Sequence, residues 1–254
     1  MSTPDQNRDR HAPDPPEELL PVLESAARLQ QVVPDAVLVG GTASAAYAGH
    51  RLSFDHDHVL ADLADRYAVV LDAVEATDGW ATSVRASRPP MTIMGQLGGV
   101  EAGLRQLRRT VPLQTQILTL PGGSQVTIPT IEETLRVKAY LVVQRNQVRD
   151  FLDLAALSDR LGLDAAANVL RHIDEFYADR SGDAESVGSA LVMRLAKPDP
   201  KDVRVIEQLP HYKRLSPRWQ DWGETTRVCA DLAQHMLSVT DGGETDGAAD
   251  VPQR

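Results

Sequence analysis

Apolar residues in the first part of the chain switch between helical and strand spacing. From 16 to 31, leucines and alanines recur at helical intervals, which predicts a helix that ends before Pro34. The apolar run 36–39 predicts a short buried strand, and Gly40-Gly41 break it. The small residues that follow favour a second helix, with Gly49 as its left-handed cap.

Strand patterns dominate the next stretch of sequence. Residues 52–60 (LSFDHDHVL) predict a strand, whereas residues 61–77 predict an amphipathic helix. Residues 100–109 fit a short basic helix and a strand equally well. Further strands are predicted at 80–85 and 91–94, and a hairpin at 113–120 and 125–128 around Pro121-Gly122-Gly123.

A helical pattern begins near residue 129. Thr130 and Glu133 have the spacing of a capping box, so a helix is predicted from there to about residue 161. Further helices are predicted at 163–178, 185–196 and 219–237. The expected fold class is therefore α+β, with a small mixed sheet and helices in 17–129 and an all-α half in 130–239. The polar ends, 1–16 and 240–254, are predicted to be disordered tails.

The composition adds exclusions to this picture. The chain has 254 residues, and its single cysteine, Cys229, excludes a disulfide framework and a cysteine-rich zinc site. No apolar run approaches the roughly 18 residues of a membrane span. The N-terminal stretch lacks the apolar core of a signal peptide. We therefore expect a cytoplasmic protein with no membrane partner.

Charge is distributed unevenly along the chain. The formal net charge of −10 argues against a nonspecific nucleic-acid coat, so DNA is not expected as a partner. Residues 19–84 hold 3 Arg against 9 Asp and Glu, whereas residues 85–149 hold 9 Lys and Arg against 3 Glu. Such a pair of segments would suit a site that combines metal ions with a polyanionic substrate. Composition alone nevertheless favours ordinary surface faces that balance each other.

Two features of the first half carry candidate chemistry. Gly40-Gly41-Thr42 follow a strand and open a helix, where the backbone can approach a phosphate and unpaired N–H groups face it. Asp55 and Asp57 project from one face of a strand, about 7 Å apart at Cα, which suits a divalent cation. The alternatives are an ordinary tight turn and two exposed surface acids. Arg51 could contact a phosphate, brace the acid pair or form a structural salt bridge.

A third feature lies on the helix predicted after residue 130. In one continuous helix, Lys138, Arg145, Arg149 and Asp153 share an arc of about 80°, and Asp150 lies further round. Three cations on one stripe repel one another unless they face phosphates. The alternative is a stripe neutralised by pairs such as Arg149–Asp153.

Taken together, these residues resemble the nucleotidyltransferase-fold toxins of the AbiEii/AbiGii type. The first motif is Gly40-Gly41-Thr42-Ala43 followed by Gly49-His50-Arg51, Ser53, Asp55 and Asp57, and the second is Lys138, Arg145, Arg149, Asp150, Asp153 and Leu154. The resemblance covers about residues 19–160. It implies a small nucleotidyltransferase core with a helical C-terminal half that completes the active site. Members of the related mycobacterial group transfer nucleotides to the 3′ end of tRNA.

The resemblance also implies roles for individual residues. Asp55 and Asp57 would bind Mg²⁺, with Mn²⁺ as an alternative, and act in catalysis with Lys138 and Asp153. Residues that would hold the nucleotide are Gly40, Gly41, Thr42, Arg51, Arg145, Arg149 and Asp150. The implied partners are an NTP, an RNA acceptor such as tRNA or a protein acceptor, and a cognate antitoxin protein. The implied function is that of a toxin–antitoxin or abortive-infection toxin that moves an NMP from the NTP to the acceptor.

Some residues depart from the pattern of these toxins. His56 stands between the two aspartates, where an apolar residue is usual, and His58 follows it; a metal site formed by these histidines with His50 and Asp55 is a remote alternative. No clear third carboxylate appears on a later strand. Gln114 and Gln116 stand where an acid would be expected, and Glu101 is the nearest upstream acid. These departures favour two alternatives: a degenerate nucleotidyltransferase fold that binds nucleotide, RNA or a partner, and a small-molecule nucleotidyltransferase.

Two further segments are basic. Arg105, Arg108 and Arg109 are candidates for RNA-backbone contacts, or else form a solvated end of an element. Residues 199–222 interleave basic and aromatic residues, as a surface that grips single-stranded RNA does. An ordered loop that clasps the helical half is the favoured interpretation of that segment.

Overall fold

The structure is a computed structural model that describes residues 11–178 and 186–238. Within these residues the chain is α+β. The strands are β1 (Val37–Val39), β2 (Asp55–Leu60), β3 (Trp80–Thr82), β4 (Thr92–Leu97), β5 (Val100–Gln106), β6 (Thr115–Thr119) and β7 (Gln125–Pro129). The α-helices are α1 (Leu20–Val32), α2 (Gly40–Ala48), α3 (Tyr67–Glu75), α4 (Ile131–Arg145), α5 (Val148–Leu161), α6 (Leu163–Arg171), α7 (Ile173–Tyr177), α8 (Val187–Ala196) and α9 (Trp222–Ser238). Three 3₁₀ segments, Glu17–Leu19, Val203–His211 and Pro217–Gln220, complete the list.

Five strands form a mixed sheet in the order β1-β2-β5-β4-β3, and β6 and β7 form the predicted hairpin beside it. Only β2 and β5 run parallel, with Asp55 opposite Glu101 and Asp57 opposite Gly103. The segment 100–109, which fits a helix and a strand equally well by pattern, is thus a strand up to Gln106. This parallel pairing brings residues 55–60 and 101–106 to the centre of the sheet.

The two faces of β2 meet different surroundings. Its burial alternates, with His56, His58 and Leu60 buried and Asp55, Asp57 and Val59 half-buried. The buried face packs against α1 and α3 in a core that includes Leu29, Val70 and Val74. The other face opens towards α4. The prediction that both aspartates leave the strand on one face is confirmed.

The helix predicted from residue 130 to 161 is wrong in one respect, because it is two helices. Asn146 ends α4 with φ of 53°, in the left-handed region. Its side chain donates to Asp199 O at 2.6 Å. The first turn of α5 is stabilised from the same distant segment, since Val148 N donates to Asp202 Oδ1 at 2.8 Å. The single-arc geometry expected for Lys138, Arg145, Arg149 and Asp153 therefore does not apply.

The capping box predicted at Thr130 and Glu133 is half formed. The Thr130 hydroxyl accepts from Glu133 N at 3.2 Å, as predicted. The carboxylate of Glu133 does not reach back, because it is buried against Arg109 at 2.6 Å and Arg136 at 3.2 Å. Arg109 is therefore a buried structural cation and not the RNA-backbone contact that the sequence suggested, whereas Arg108 is exposed.

The remaining helical predictions agree with the structure within a few residues at most ends. The helix predicted at 219–237 begins at Trp222, and the one predicted at 61–77 is shorter, spanning Tyr67–Glu75. Gly49 caps α2 with φ of 57°. Residues 1–10 and 240–254 of the two predicted tails, and the predicted helix start at 185, lie outside the described residues. Among the helices of the described part, none is long and apolar enough to cross a membrane.

Candidate active site

A cavity of about 430 Å³ lies between the open face of the sheet and α4. The charged residues that line it are Arg51, Asp55, Asp57, Glu101, Arg105, Lys138, Arg145, Arg149 and Lys213. Six cations stand against three carboxylates, so the lining carries a formal charge of 6 − 3 = +3. A cavity with this charge balance suits a substrate that carries several negative charges.

The glycine turn forms one wall of the cavity at the start of α2. Gly40 has φ of 76°, which favours glycine, and both Gly40 and Gly41 line the cavity. A Cβ on Gly41 would lie 2.5 Å from Arg51 Nη2, so the guanidinium packs directly on the turn. Thr42, by contrast, is buried, and its hydroxyl donates to Asp55 O at 2.5 Å. The structure therefore gives the Thr42 side chain a structural contact and leaves phosphate contact to the backbone.

The two aspartates of β2 point into the cavity, each next to a cation. Asp55 Oδ1 lies 3.5 Å from Lys213 Nζ, and Asp57 Oδ1 lies 3.2 Å from Arg105 Nε. Burial alone raises the pKa of Asp55, but the Lys213 charge and a hydrogen bond from Ser53 outweigh it and lower the pKa below its ordinary value. Asp55 is therefore ionised at neutral pH.

The space around Asp57 depends on the residue opposite it on β5. A Cβ at Gly103 would lie 2.4 Å from Asp57 Oδ1, so only glycine leaves room for the carboxylate in this position. Glu101 is exposed, lines the cavity and stands opposite Asp55. Gln114 instead accepts from Arg136, and Gln116 donates to the Tyr47 hydroxyl, so neither replaces a third acid.

The donor set fits a magnesium ion that is shared with a phosphate substrate. Within residues 11–178 and 186–238, no three His, Cys, Asp or Glu side chains converge as a metal site. Mg²⁺, however, is commonly held by one or two carboxylates together with substrate phosphates and water. Asp55 and Asp57 supply those two carboxylates beside a positively charged cavity. The remote alternative of a histidine metal site is not formed.

Asp153 lies behind the cavity wall and is fully buried. Its carboxylate accepts from Arg51 Nε at 2.7 Å and Nη2 at 2.9 Å, lies 2.6 Å from Lys138 Nζ, and lies 2.7 Å from His50 Nε2. Burial by itself raises the pKa of this carboxyl, but the Arg51 and Lys138 charges hold it well below its ordinary range. Asp153 is thus a permanent anion that holds two cations of the cavity wall from behind.

Asp150 occupies a similar position with poorer contacts. It is fully buried, lies 3.9 Å from Lys138 Nζ, and neither of its oxygens accepts a hydrogen bond within the described residues. Burial raises its pKa above the ordinary value. The structure therefore places Asp150 and Asp153 beside Lys138 but not in the cavity lining.

Arg145 and Arg149 form an exposed basic edge of the cavity. Arg145 is the last residue of α4 and Arg149 belongs to the first turn of α5, so the break at Asn146 sets their relative position. The pair Arg149–Asp153, considered from the sequence as a neutralising contact, does not form, because Asp153 is turned to Arg51 and Lys138.

Two lining residues, Tyr212 and Lys213, were missed as site residues. They come from the basic and aromatic segment 199–222, which is an ordered loop as favoured from the sequence. His56 and His58 lie on the opposite face of β2 from the cavity. Burial lowers the pKa of His56 to about 4, and its Nε2 lies 3.0 Å from Ser25 Oγ. His56 is therefore a neutral core residue.

No protein-family model matches the chain. Among curated proteins, the heme uptake protein MmpL11 of Mycobacterium tuberculosis is 31% identical over 240 residues, which cover 85% of this chain and 22% of that protein. The mycolic acid-containing lipids exporter MmpL11 of Mycolicibacterium smegmatis is 36% identical over 133 residues, which cover 52% of this chain and 13% of that protein. The chain thus spans about a fifth of the length of the first of these relatives.

Two solved structures are similar in fold. JHP933 from Helicobacter pylori has a TM-score of 0.47 at 18% identity, covering 88% of this chain and 93% of that one. An antigenic nucleotidyltransferase-like protein from Paracoccidioides brasiliensis has a TM-score of 0.43 at 19% identity, covering 77% of this chain and all 100% of that one.

Proposed function

We propose that the protein is a Mg²⁺-dependent nucleotidyltransferase that moves an NMP from an NTP to a hydroxyl of an acceptor. One observation carries this proposal. A cavity whose lining has a formal charge of +3 also contains two adjacent carboxylates of one strand and the glycine turn at the start of α2. A triphosphate with its metal ion is the substrate that needs cations, carboxylates and free backbone N–H groups in one place.

Each group has a part in binding the nucleotide. Lys138, Arg145 and Arg149 would neutralise the triphosphate, and the N–H groups of the glycine turn would receive one of its phosphates. Asp55 and Asp57 would hold Mg²⁺. When bound, the ion would neutralise phosphate charge and orient the phosphates for in-line displacement.

The chemical step follows from this placement. The acceptor hydroxyl oxygen forms a bond to the α-phosphorus, the bond from the α-phosphorus to the α–β bridging oxygen breaks, and pyrophosphate leaves. The proton of the hydroxyl passes to a carboxylate of the Asp55–Asp57 pair. Asp153 does not touch the substrate in this account; it fixes the Lys138 ammonium and the Arg51 guanidinium in the wall. Such fixed charges need no reorganisation during the reaction.

The acceptor and the biological role rest on the resemblance to the AbiEii/AbiGii toxins. We propose RNA, with the 3′ end of tRNA as the first candidate, and a protein side chain as the second. A toxin that modifies tRNA would arrest growth when expressed alone, and a cognate antitoxin would relieve the arrest. Induced expression followed by sequencing of tRNA 3′ ends tests this role separately from the chemistry.

A transfer assay tests the activity. The purified protein is incubated with total RNA, Mg²⁺ and each α-labelled NTP in turn, and label is followed in RNA and in protein. We expect transfer by the wild type and its loss in Asp57→Asn. Asp62→Asn is the matched control, because Asp62 is an exposed acid of the same segment that pairs with Arg66. Absence of transfer with every NTP would contradict the proposal.

A second candidate is a nucleotide-binding module without turnover. Two observations favour it: the described part of the chain offers no three-ligand metal site, and the chain is similar to about a fifth of proteins named for transport. In this candidate the same cavity would bind Mg²⁺ and an NTP, and the bound nucleotide would regulate a larger polypeptide. Nucleotide binding without label transfer would favour it over the enzyme.

A further inference from the structure

The turn 212–214 reaches the cavity from a distant part of the chain. Its Lys213 lies 158 residues from Asp55 in sequence. Two backbone hydrogen bonds fix the turn: Leu52 N donates to Lys213 O at 2.9 Å, and Ser216 N donates to His50 O at 2.8 Å. Both attachment points lie just before β2, so the turn is tied to the strand that bears the acid pair.

The backbone of this turn is unusual. Lys213 has φ of 43° and Arg214 has φ of 50°, and consecutive non-glycine residues in the left-handed region are uncommon. Such conformations persist where the surroundings impose them, and they concentrate at ligand sites. The conformation presents Lys213 to the cavity.

The contact between Lys213 and Asp55 differs from the other ion pairs of the site. The two charged atoms are 3.5 Å apart, and their side chains are 33% and 43% exposed. The ion pair of Lys138 with Asp153 is 2.6 Å long and its side chains are 4% and 0% exposed. Lys138 is thus locked in the wall, whereas Lys213 rests loosely on a carboxylate, on a flexible four-carbon side chain.

We infer that Lys213 is an exchangeable counter-ion, which neutralises Asp55 in the empty site and turns to the triphosphate when a metal-bound nucleotide enters. This inference rests on the proposed function. The ammonium and a divalent cation would compete for the same carboxylate, so a free metal ion binds weakly. The exchange makes metal binding depend on the nucleotide, because the phosphates give the displaced ammonium a new partner.

Manganese binding in the absence of nucleotide tests the competition. Free Mn²⁺ is measured by electron paramagnetic resonance during titration of the wild type, Lys213→Met, Lys213→Arg and Lys201→Met. Lys201 is an exposed lysine of the same segment that does not line the cavity, so it controls for net charge. Removing the competing charge should raise Mn²⁺ affinity about fivefold or more in Lys213→Met alone.

Nucleotide binding tests the second half of the exchange. With Mg²⁺ present, Lys213→Met should bind an NTP about tenfold more weakly than the wild type, because one charge-assisted contact is lost. Lys213→Arg and Lys201→Met should bind the NTP like the wild type.

Two results would overturn the inference: unchanged Mn²⁺ affinity in Lys213→Met, or an equal rise in Lys201→Met. Unchanged nucleotide affinity in Lys213→Met would also overturn the exchange. Failure of the proposed function is distinguishable, because the wild type would then bind no nucleotide, while the manganese titration still decides whether Lys213 competes at Asp55.

Discussion

Lys138 and Asp153 form a buried ion pair in which Nζ lies 2.6 Å from Oδ2. The two residues belong to different helices, α4 and α5, and only Lys138 reaches the cavity lining. Asp153 also accepts two hydrogen bonds from Arg51. The cationic wall of the site is therefore anchored by one carboxylate that the substrate does not reach.

The first prediction concerns the two buried acids of α5. Asp153→Asn should lower the free energy of unfolding by about 3–5 kcal/mol, because it leaves Arg51 and Lys138 buried without their anion. Asp150→Asn should cost much less, since neither oxygen of Asp150 accepts a hydrogen bond within the described residues. Urea denaturation followed by circular dichroism measures both changes. Equal losses in the two variants would contradict the role given to Asp153.

The second prediction concerns the pH dependence of that difference. Although burial opposes it, the Arg51 and Lys138 charges lower the pKa of Asp153 in the folded protein. A lowered folded-state pKa stabilises the protein above the ordinary carboxyl pKa of 3.8, and this contribution is lost as the pH falls further. The stability of the wild type should therefore approach that of Asp153→Asn below about pH 4. A constant difference between the two, measured by denaturation from pH 7 to pH 3, would contradict this.

The third prediction concerns Gly103. Gly103→Ala places a Cβ 2.4 Å from Asp57 Oδ1, but that atom ends a flexible side chain and can move. We therefore expect near-wild-type thermal stability together with at least tenfold weaker transfer, a loss of about 1.4 kcal/mol in transition-state stabilisation. Gly122→Ala is the matched control, since its Cβ would meet only Glu24 outside the cavity. Unchanged transfer in Gly103→Ala would remove Asp57 from the site.

The fourth prediction uses the single cysteine as a reporter of folding. Cys229 is fully buried in α9, and burial raises its thiol pKa to about 12. Because the thiolate is the reactive form, the folded protein should not react with a thiol reagent, and labelling should follow global unfolding in urea. Rapid labelling in native buffer would show that α9 opens separately from the rest of the chain.

Local signals in the sequence were sufficient for part of this architecture. The alternation around Asp55 and Asp57 predicted their shared face, and the glycine after β1 and the glycine at 49 predicted the ends of α2. The β6–β7 hairpin followed from its Pro-Gly-Gly turn. These features depend on interactions between neighbours in sequence.

The features that the sequence did not give depend on distant partners. Segment 100–106 becomes a strand because it pairs in parallel with β2, about 46 residues earlier. The helix break at Asn146 is stabilised by Asp202, which is 54 residues from Val148. Lys213 reaches the site only through the fold of the C-terminal segment. None of these contacts leaves a periodic signal along the chain.

Equilibrium binding of a nucleotide tests the central claim most directly, because the enzyme and the binding module both require it. An NTP analogue with a methylene group between the α- and β-phosphates is titrated into the protein with Mg²⁺ by isothermal calorimetry. The account predicts saturable binding by the wild type and affinity about tenfold weaker or less in Arg149→Glu, with Arg108→Glu, an exposed arginine that does not line this cavity, binding like the wild type. No binding of any of the four analogues by the folded wild type would contradict it.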